Sequence, residues 1–309
     1  MTSIPYPTFI YQLPIDVENG RAALPSVGKC RIHPATCTAN TSEFRAIVAK
    51  NAEQAAVSTT FQNKSEEDAA KALKKKFMKQ GVAMATAYLT ETLKLDVSVV
   101  NVEIFLSSED LVNTDGCIAA CFLDAGCAAI VADGLNLEAL DIAKIPKNRM
   151  VAHFQHPFAS SSYATSDSDV CTKGMKDGIT LAAELASIVS VELSKSDNPD
   201  AESIVEILRF EAQKQEELGF QLIVQFNPAD CNYDSDEDLA AMVAAISKAC
   251  KDGHGNISIV DPTANQLGLS FAACMKTDRQ DGLFTTVVCT RSGEALGLVY
   301  SSKVNTCCY

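Results

Sequence analysis

The sequence contains no apolar stretch approaching the roughly 20 residues that would span a bilayer. Met1 to Pro14 has neither the basic start nor the apolar centre of a secretory signal. The first absence points to a soluble chain, the second to a reducing compartment, the cytoplasm. Basic charge is also short. Lys and Arg number 26 against 39 Asp and Glu, a net charge of −13, which argues against nucleic acid or an anionic membrane as the main partner. Apolar residues are not short: 47% of the chain is hydrophobic and 21% charged, far from the composition of a disordered protein. A length of 309 residues suits one large α/β domain or two modest ones. The charge divides the chain, because residues 1–95 carry a net +4 and residues 96–309 a net −17.

Twelve cysteines are present. In a reducing compartment Cys117, Cys121 and Cys127, set among Ile118, Phe122 and Ile130, read as small core side chains. The most metal-like spacing is Cys30, His33 and Cys37. A structural zinc needs four donors and a catalytic one three plus water. No CxxC pair accompanies the cluster, so an incidental loop is the better reading.

Residues 1–95 read as an N-terminal extension, partly helical. Met1 to Ser42 is loop-like. Ser65 to Lys79 is a helix candidate with Ser65 and Asp68 as an S-x-x-D start and Lys74, Lys75, Lys76 and Lys79 at its other end. From Asp96 to Cys274 short β-branched runs alternate with helical patterns, the signature of βα units around a parallel sheet. Six strands are expected: Val97 to Leu106, Cys127 to Ala132, Arg149 to Phe154, Ser187 to Leu193, Phe220 to Phe226 and Asn256 to Val260. One helix starts at Asn198-Pro199, carries Ile204, Ile207 and Leu208 on one face, and stops at Gly219. Another starts at Ser235 and Asp238, has Leu239, Met242, Val243 and Ile246 at helical spacing and Gly253 beyond. Ala159 to Asp169 reads as a surface loop. The fold class is thus α/β, a mostly parallel, degenerate TIM-barrel-like repeat, although strand count alone does not separate a barrel from an open sheet. From residue 275 the pattern changes. Gly282 to Cys289 and Ala295 to Ser301 flank a five-residue turn containing Gly293, an antiparallel hairpin that reads as the incomplete start of a second domain spanning 275–309.

Chemical signatures are sparse. No G-x-S-x-G elbow occurs, and neither G-x-G-x-x-G nor G-x-x-x-x-G-K-[ST] is present. The last barrel strand runs into Asp261-Pro262-Thr263-Ala264-Asn265, where proline removes a backbone donor that a phosphate-binding turn would use. Asp230, Asn232 and Asp234 open like a calcium loop, but Ser235 stands where glycine is needed and Ala241 where glutamate is needed. His153 and His156 lie toward a strand end where ligands bind in such folds. No carboxylate follows at metal-site spacing, which favours a strand-end loop with one partly buried imidazole. The residues by themselves therefore nominate no catalytic and no metal-binding side chain.

The segment Lys276-Thr277-Asp278-Arg279-Gln280-Asp281-Gly282-Leu283-Phe284-Thr285-Thr286-Val287-Val288, continued by Gly293 and Ala295-Leu296-Gly297-Leu298-Val299-Tyr300-Ser301-Ser302, resembles the start of the phosphoribosyl-AMP cyclohydrolase domain of fungal-type multifunctional histidine-biosynthesis proteins. In that family a divergent α/β region similar to a pathway isomerase barrel comes first, and residues 96–274 agree in pattern and order. Asp278, Arg279, Asp281, Gly282, Leu283, Gly297 and Tyr300 are the family-motif residues. The resemblance implies hydrolytic opening of the adenine ring of phosphoribosyl-AMP by a zinc-bound water with magnesium assisting. Zinc and magnesium are expected for the complete family domain, and no cofactor for this chain. Family ligands come from an Asp-Cys-Asp-x-Asp segment and two later cysteines, all beyond the hairpin. Asp230-Cys231-Asn232-Tyr233-Asp234 approximates the first but precedes the hairpin and is already explained as the approach to a helix. After Ser302 the sequence Lys303-Val304-Asn305-Thr306-Cys307-Cys308-Tyr309 departs from the family pattern, so a truncated or misjoined and inactive chain is expected. A homodimer is a candidate assembly. The alternatives are a non-catalytic α/β scaffold or interaction module, and a barrel isomerase of the same pathway.

Overall fold

The computed structural model describes residues 8–13, 29–32, 39–57, 64–98, 101–142, 144–156, 178–193, 219–226, 235–253, 256–260, 263, 266, 269–270, 274, 279–290, 292 and 294–302. Eight parallel strands close into a barrel in chain order. They are β1 (Thr8–Leu13), β2 (Lys29–Ile32), β3 (Asn101–Phe105), β4 (Ala129–Asp133), β5 (Met150–His156), β6 (Ile188–Leu193), β7 (Gln221–Phe226) and β8 (Asn256–Val260). β9 (Phe284–Cys289) and β10 (Ala295–Ser301) form a separate antiparallel pair. The fold is α/β with a parallel barrel followed by a hairpin, the class that the βα pattern predicts.

The six strands read from the sequence are β3 to β8, with shifted ends. The choice between barrel and open sheet is decided by β1, which bonds β2 on one side and β8 on the other. Here the sequence reading needs correction: the two closing strands come from the stretch read as an extension, with Met1 to Ser42 taken as loop, so the boundary at Asp96 falls inside the barrel. β2 is only four residues long. A strand so short is defined by the ladder on each side of it more than by its own propensity.

The helices are α1 (Ala39–Ala56), α2 (Lys64–Ala87), α3 (Ser108–Asn113), α4 (Cys117–Asp124), α5 (Leu137–Ile142), α6 (178–185) and α7 (Asp236–Gly253). None of the described helices is long and apolar enough to cross a membrane. Helix α1 has no counterpart in the sequence reading, because its buried face is built from Val48, Ala52 and Ala55, which give little hydrophobic contrast. Helix α2 begins one residue before the expected Ser65 cap and runs past Lys79 to Ala87. The lysines therefore sit mid-helix on an exposed face instead of at its C-terminus. Gly81 does not stop the helix; it is buried, and a β-carbon there would lie 2.5 Å from Cys121 Sγ. The missing side chain lets α2 approach α4 closely. The α7 start is as read: Ser235 Oγ accepts from the Asp238 N–H at 3.2 Å, and Leu239, Met242 and Val243 are buried. The Asn198 helix and the Ala159 to Asp169 loop lie outside the described residues.

Strand alternation divides the interior in two. Val102, Ile104, Ile130, Ala132, Met150, Ala152, Phe154, Val189, Val191, Leu222, Val224, Ile257 and Ile259 belong to one large core with Val48, Tyr88, Leu89, Ile118, Phe122 and Leu239 from the helices and the π-turn Tyr88–Thr92. Alternate positions form a second, smaller cluster of Ala129, Val131 and Val151 with Phe105 and Ile188 inside the barrel. Tyr88 meets Phe122 edge-on at 6.0 Å between centroids. Arg149 reaches across the barrel base to the Ala128 carbonyl at 3.1 Å and to the Cys127 carbonyl. An Arg45–Asp110 ion pair of 2.5 Å ties α1 to α3.

Cys117, Cys121 and Cys127 are core side chains, as expected, and burial pushes the Cys121 and Cys127 thiols up to about 12. Thiolates are the nucleophiles, so iodoacetamide at neutral pH is expected to alkylate the exposed Cys289 well before Cys117, Cys121, Cys127 or Cys274. Peptide mass spectrometry of native and urea-unfolded protein measures the order. Gly81→Ala is expected to destabilise the fold by about 1–3 kcal/mol through overpacking against Cys121. The double variant Gly81→Ala with Cys121→Ala should recover much of that loss in a denaturant titration.

Candidate functional site

Inside the barrel, residues at alternate strand positions change character from bottom to top. Val131, Val151 and Ile188 make an apolar level. Two residues further along β5 and β6 come His153 and Ser190, opposite one another in register. Two further along β6 comes Glu192, opposite Gln225 of β7, which in turn pairs with Ser258 of β8. Glu103, His153, Ser190, Gln225 and Ser258 are all buried. Buried polar groups cost free energy unless paired, and His153, Ser190 and Gln225 pair with one another and with Glu192. His153 Nε2 lies 3.0 Å from Glu192 Oε2. His153 Nδ1 is 3.5 Å from Ser190 Oγ, and Ser190 Oγ donates to Gln225 Oε1 at 3.1 Å. Phe105 closes one side of the imidazole, edge-on at 6.0 Å.

Glu192 Oε2 faces Nε2 and so fixes the ring's orientation. The row Glu192, His153, Ser190, Gln225 spans three neighbouring strands. It lies in the half of the barrel nearer the strand C-termini, where barrels carry their chemistry. Val189 and Val191, between the polar positions of β6, face the outer core.

The sequence favours a strand-end loop with a partly buried imidazole at His153, since no carboxylate follows at metal-site spacing. The structure places it mid-strand in β5, with its carboxylate on β6. His156 ends the same strand, paired through its backbone with Leu193; its side chain lies outside the described residues. Glu192, Ser190, Gln225 and Glu103 were missed. The available signal was polar residues alternating with valine or isoleucine inside strands otherwise read as apolar on both faces, as in Ile188-Val189-Ser190-Val191-Glu192. His33, Cys37 and Asp230 to Asp234 lie outside the described residues. Among the described residues no three His, Cys, Asp or Glu side chains converge to hold a metal ion.

The family-motif residues gather at the hairpin. Arg279 grips Asp281 through two hydrogen bonds, Nε to Oδ1 at 3.0 Å and Nη2 to Oδ2 at 2.6 Å. Asp281 Oδ1 also accepts from the Leu283 N–H at 3.1 Å. The Arg279 guanidinium stacks over the Tyr300 ring, 4.1 Å from its centroid. Gly282 makes the tight link with φ 71°. Gly297 lies next to the irregularity in β10, and Asp278 lies outside the described residues. Val287, Leu296, Leu298 and Tyr300 are exposed.

No family model matches the chain, and no curated protein matches it.

The Arg279 hydrogen bonds, reinforced by the Leu283 N–H, hold the Asp281 carboxyl down to about 2. A depressed carboxyl favours the folded hairpin above its ordinary titration range and loses that contribution as pH falls through about 2. Carbon-detected NMR titration of Asp281 is expected to give a midpoint near that value. In Arg279→Gln the midpoint should return toward the ordinary value of about 3.9.

Proposed function

We propose that this chain works in histidine biosynthesis as the barrel and opening hairpin of a phosphoribosyl-AMP cyclohydrolase, in the cytoplasm. The observation that carries the reading is the segment Lys276 to Ser302. Its motif residues touch each other: Arg279, Asp281, Leu283 and Tyr300 form one linked group at the base of β9 and β10. The order of a parallel barrel followed by an antiparallel hairpin also agrees with the family's order.

On this reading the substrate is phosphoribosyl-AMP and the reaction is hydrolytic opening of its adenine ring. A zinc ion in the complete domain would lower the pKa of its bound water and supply the attacking group. The described residues do not fit such a centre, since no three donors converge and Cys289 stands alone and exposed on β9. The hairpin's contribution is therefore structural, a start for the sheet on which the later ligands would be mounted.

The test compares the 309-residue chain with a version extended through the Asp-Cys-Asp-x-Asp segment and the two later cysteine motifs. The extended form is expected to retain zinc by elemental analysis and to hydrolyse phosphoribosyl-AMP. The shorter one should do neither, because a catalytic zinc needs three protein donors. Zinc with turnover in the shorter form would place the active site elsewhere. Neither property in the extended form would overturn the family reading.

A further inference from the structure

Charge along α2 is sorted by sign. Glu66, Glu67 and Asp68 stand together at its start, and Lys71, Lys74, Lys75, Lys76 and Lys79 follow as a block. The helix macrodipole accounts for the acids, because negative charge near a helix N-terminus is favourable. It does not account for the lysines. They sit mid-helix, Lys79 lying about two turns short of Ala87, and the dipole acts only within the last turn. The same stretch is helical without packing. None of residues 64–76 is buried, whereas Gly81 and Ala85 in the second half of α2 are. Helical stability in proteins comes mostly from packing of one face on a neighbour. Ser65, Ala69, Ala72 and Lys76 recur at helical spacing and share a face, with Leu73 at its border. All five are exposed, Leu73 by 53%. That face lies opposite Gly81, which packs on Cys121 of α4.

We propose that residues 64–76 of α2 are a self-complementary docking surface for the same segment of a second copy of this chain, with the two helices antiparallel about a two-fold axis. Centred between Ala70 and Lys71, this arrangement sets Ala69 against Ala72 of the other copy and Ser65 against Lys76. Asp68 comes beside Lys75, and the axis makes that contact twice. Parallel pairing would set acids on acids and lysines on lysines, so charge selects the antiparallel form. A nucleic acid or an anionic membrane would meet Glu66, Glu67 and Asp68 on the same few turns as the lysines. A second copy meets both blocks with the opposite sign. Residues 64–76 span about 20 Å, a small footprint beside the roughly 800 Å² per partner of a standard interface. The dimer is therefore weak, reversible and sensitive to salt. It is independent of the hairpin and of its chemistry.

Sedimentation velocity of the full chain is expected to show a monomer–dimer equilibrium that rises with concentration up to about 500 µM at low salt. Sodium chloride at about 0.5 M should shift it toward monomer. Asp68→Lys sets a lysine against Lys75, and Lys75→Asp sets an aspartate against Asp68. Each alone should raise the dimer dissociation constant at least about tenfold. Mixing the two variants restores opposite charges at both contacts, as does combining both changes in one chain, and either should dimerise about as well as wild type. The two positions are too far apart to touch within one helix, so an effect on α2 itself would give no such rescue. Thermal melts of each variant report folding. Should a single charge reversal fail to fold, Ala72→Arg, which sets a bulky charge against Ala69, carries the same expectation of an about tenfold loss. A wild-type chain that stays monomeric at about 500 µM overturns the proposal, including one that instead binds polyglutamate through these lysines. Dimers that persist unchanged in both single reversals, or that the mixture does not restore, also overturn it.

Discussion

Closure of the sheet between β1 and β8 is the constraint on which the remaining structure depends. Once Thr8, Phe9 and Ile10 pair with Ser258, Ile259 and Val260, no strand edge is left in the barrel, and every strand has one inward and one outward set of side chains. The outward set must meet helices and is apolar almost without exception. The inward set meets only itself in a narrow space, so each of its residues is placed against residues from the neighbouring strands. Polar side chains are admissible there only if they satisfy one another. The His153, Glu192, Ser190 and Gln225 row meets that requirement.

The two parts of the chain organise polar groups in opposite ways. In the lumen, partners come from different strands and are held by register, so their geometry is inherited from the backbone ladder. In the hairpin, Arg279, Asp281 and Leu283 lie within five residues, and the geometry is made locally by a bidentate ion pair and a tight turn at Gly282. Solvent screens the second arrangement, which therefore adds little to stability, while the first is shielded.

Helices α1, α2 and α4 show how the outer layer is fitted to the barrel. Alanine at positions 52, 55 and 85 and glycine at 81 keep the helix surfaces thin where they meet, and Tyr88, Leu89 and Phe122 fill the remaining space. Small residues at close crossings and aromatic residues between them give a dense layer without strain. The cysteines take part as small apolar groups, Cys121 directly against Gly81.

The sequence alone determined the strands β3 to β8, the capped start of α7 and the hairpin, because each is written in local periodicity and turn residues that act within a few positions. It also determined the buried character of Cys117, Cys121 and Cys127. Closure of the barrel was not legible: β1 and β2 are short, and their pairing is a property of neighbours up to about 250 residues away, as Thr8 is from Ser258. The same holds for the site. Nothing near His153 in the chain supplies a carboxylate, and Glu192 becomes its partner only because parallel register sets His153 beside Ser190 and brings Glu192 one pleat beyond. Local signals specify elements, whereas contacts between elements arise only when the backbone ladder fixes which residues stand side by side.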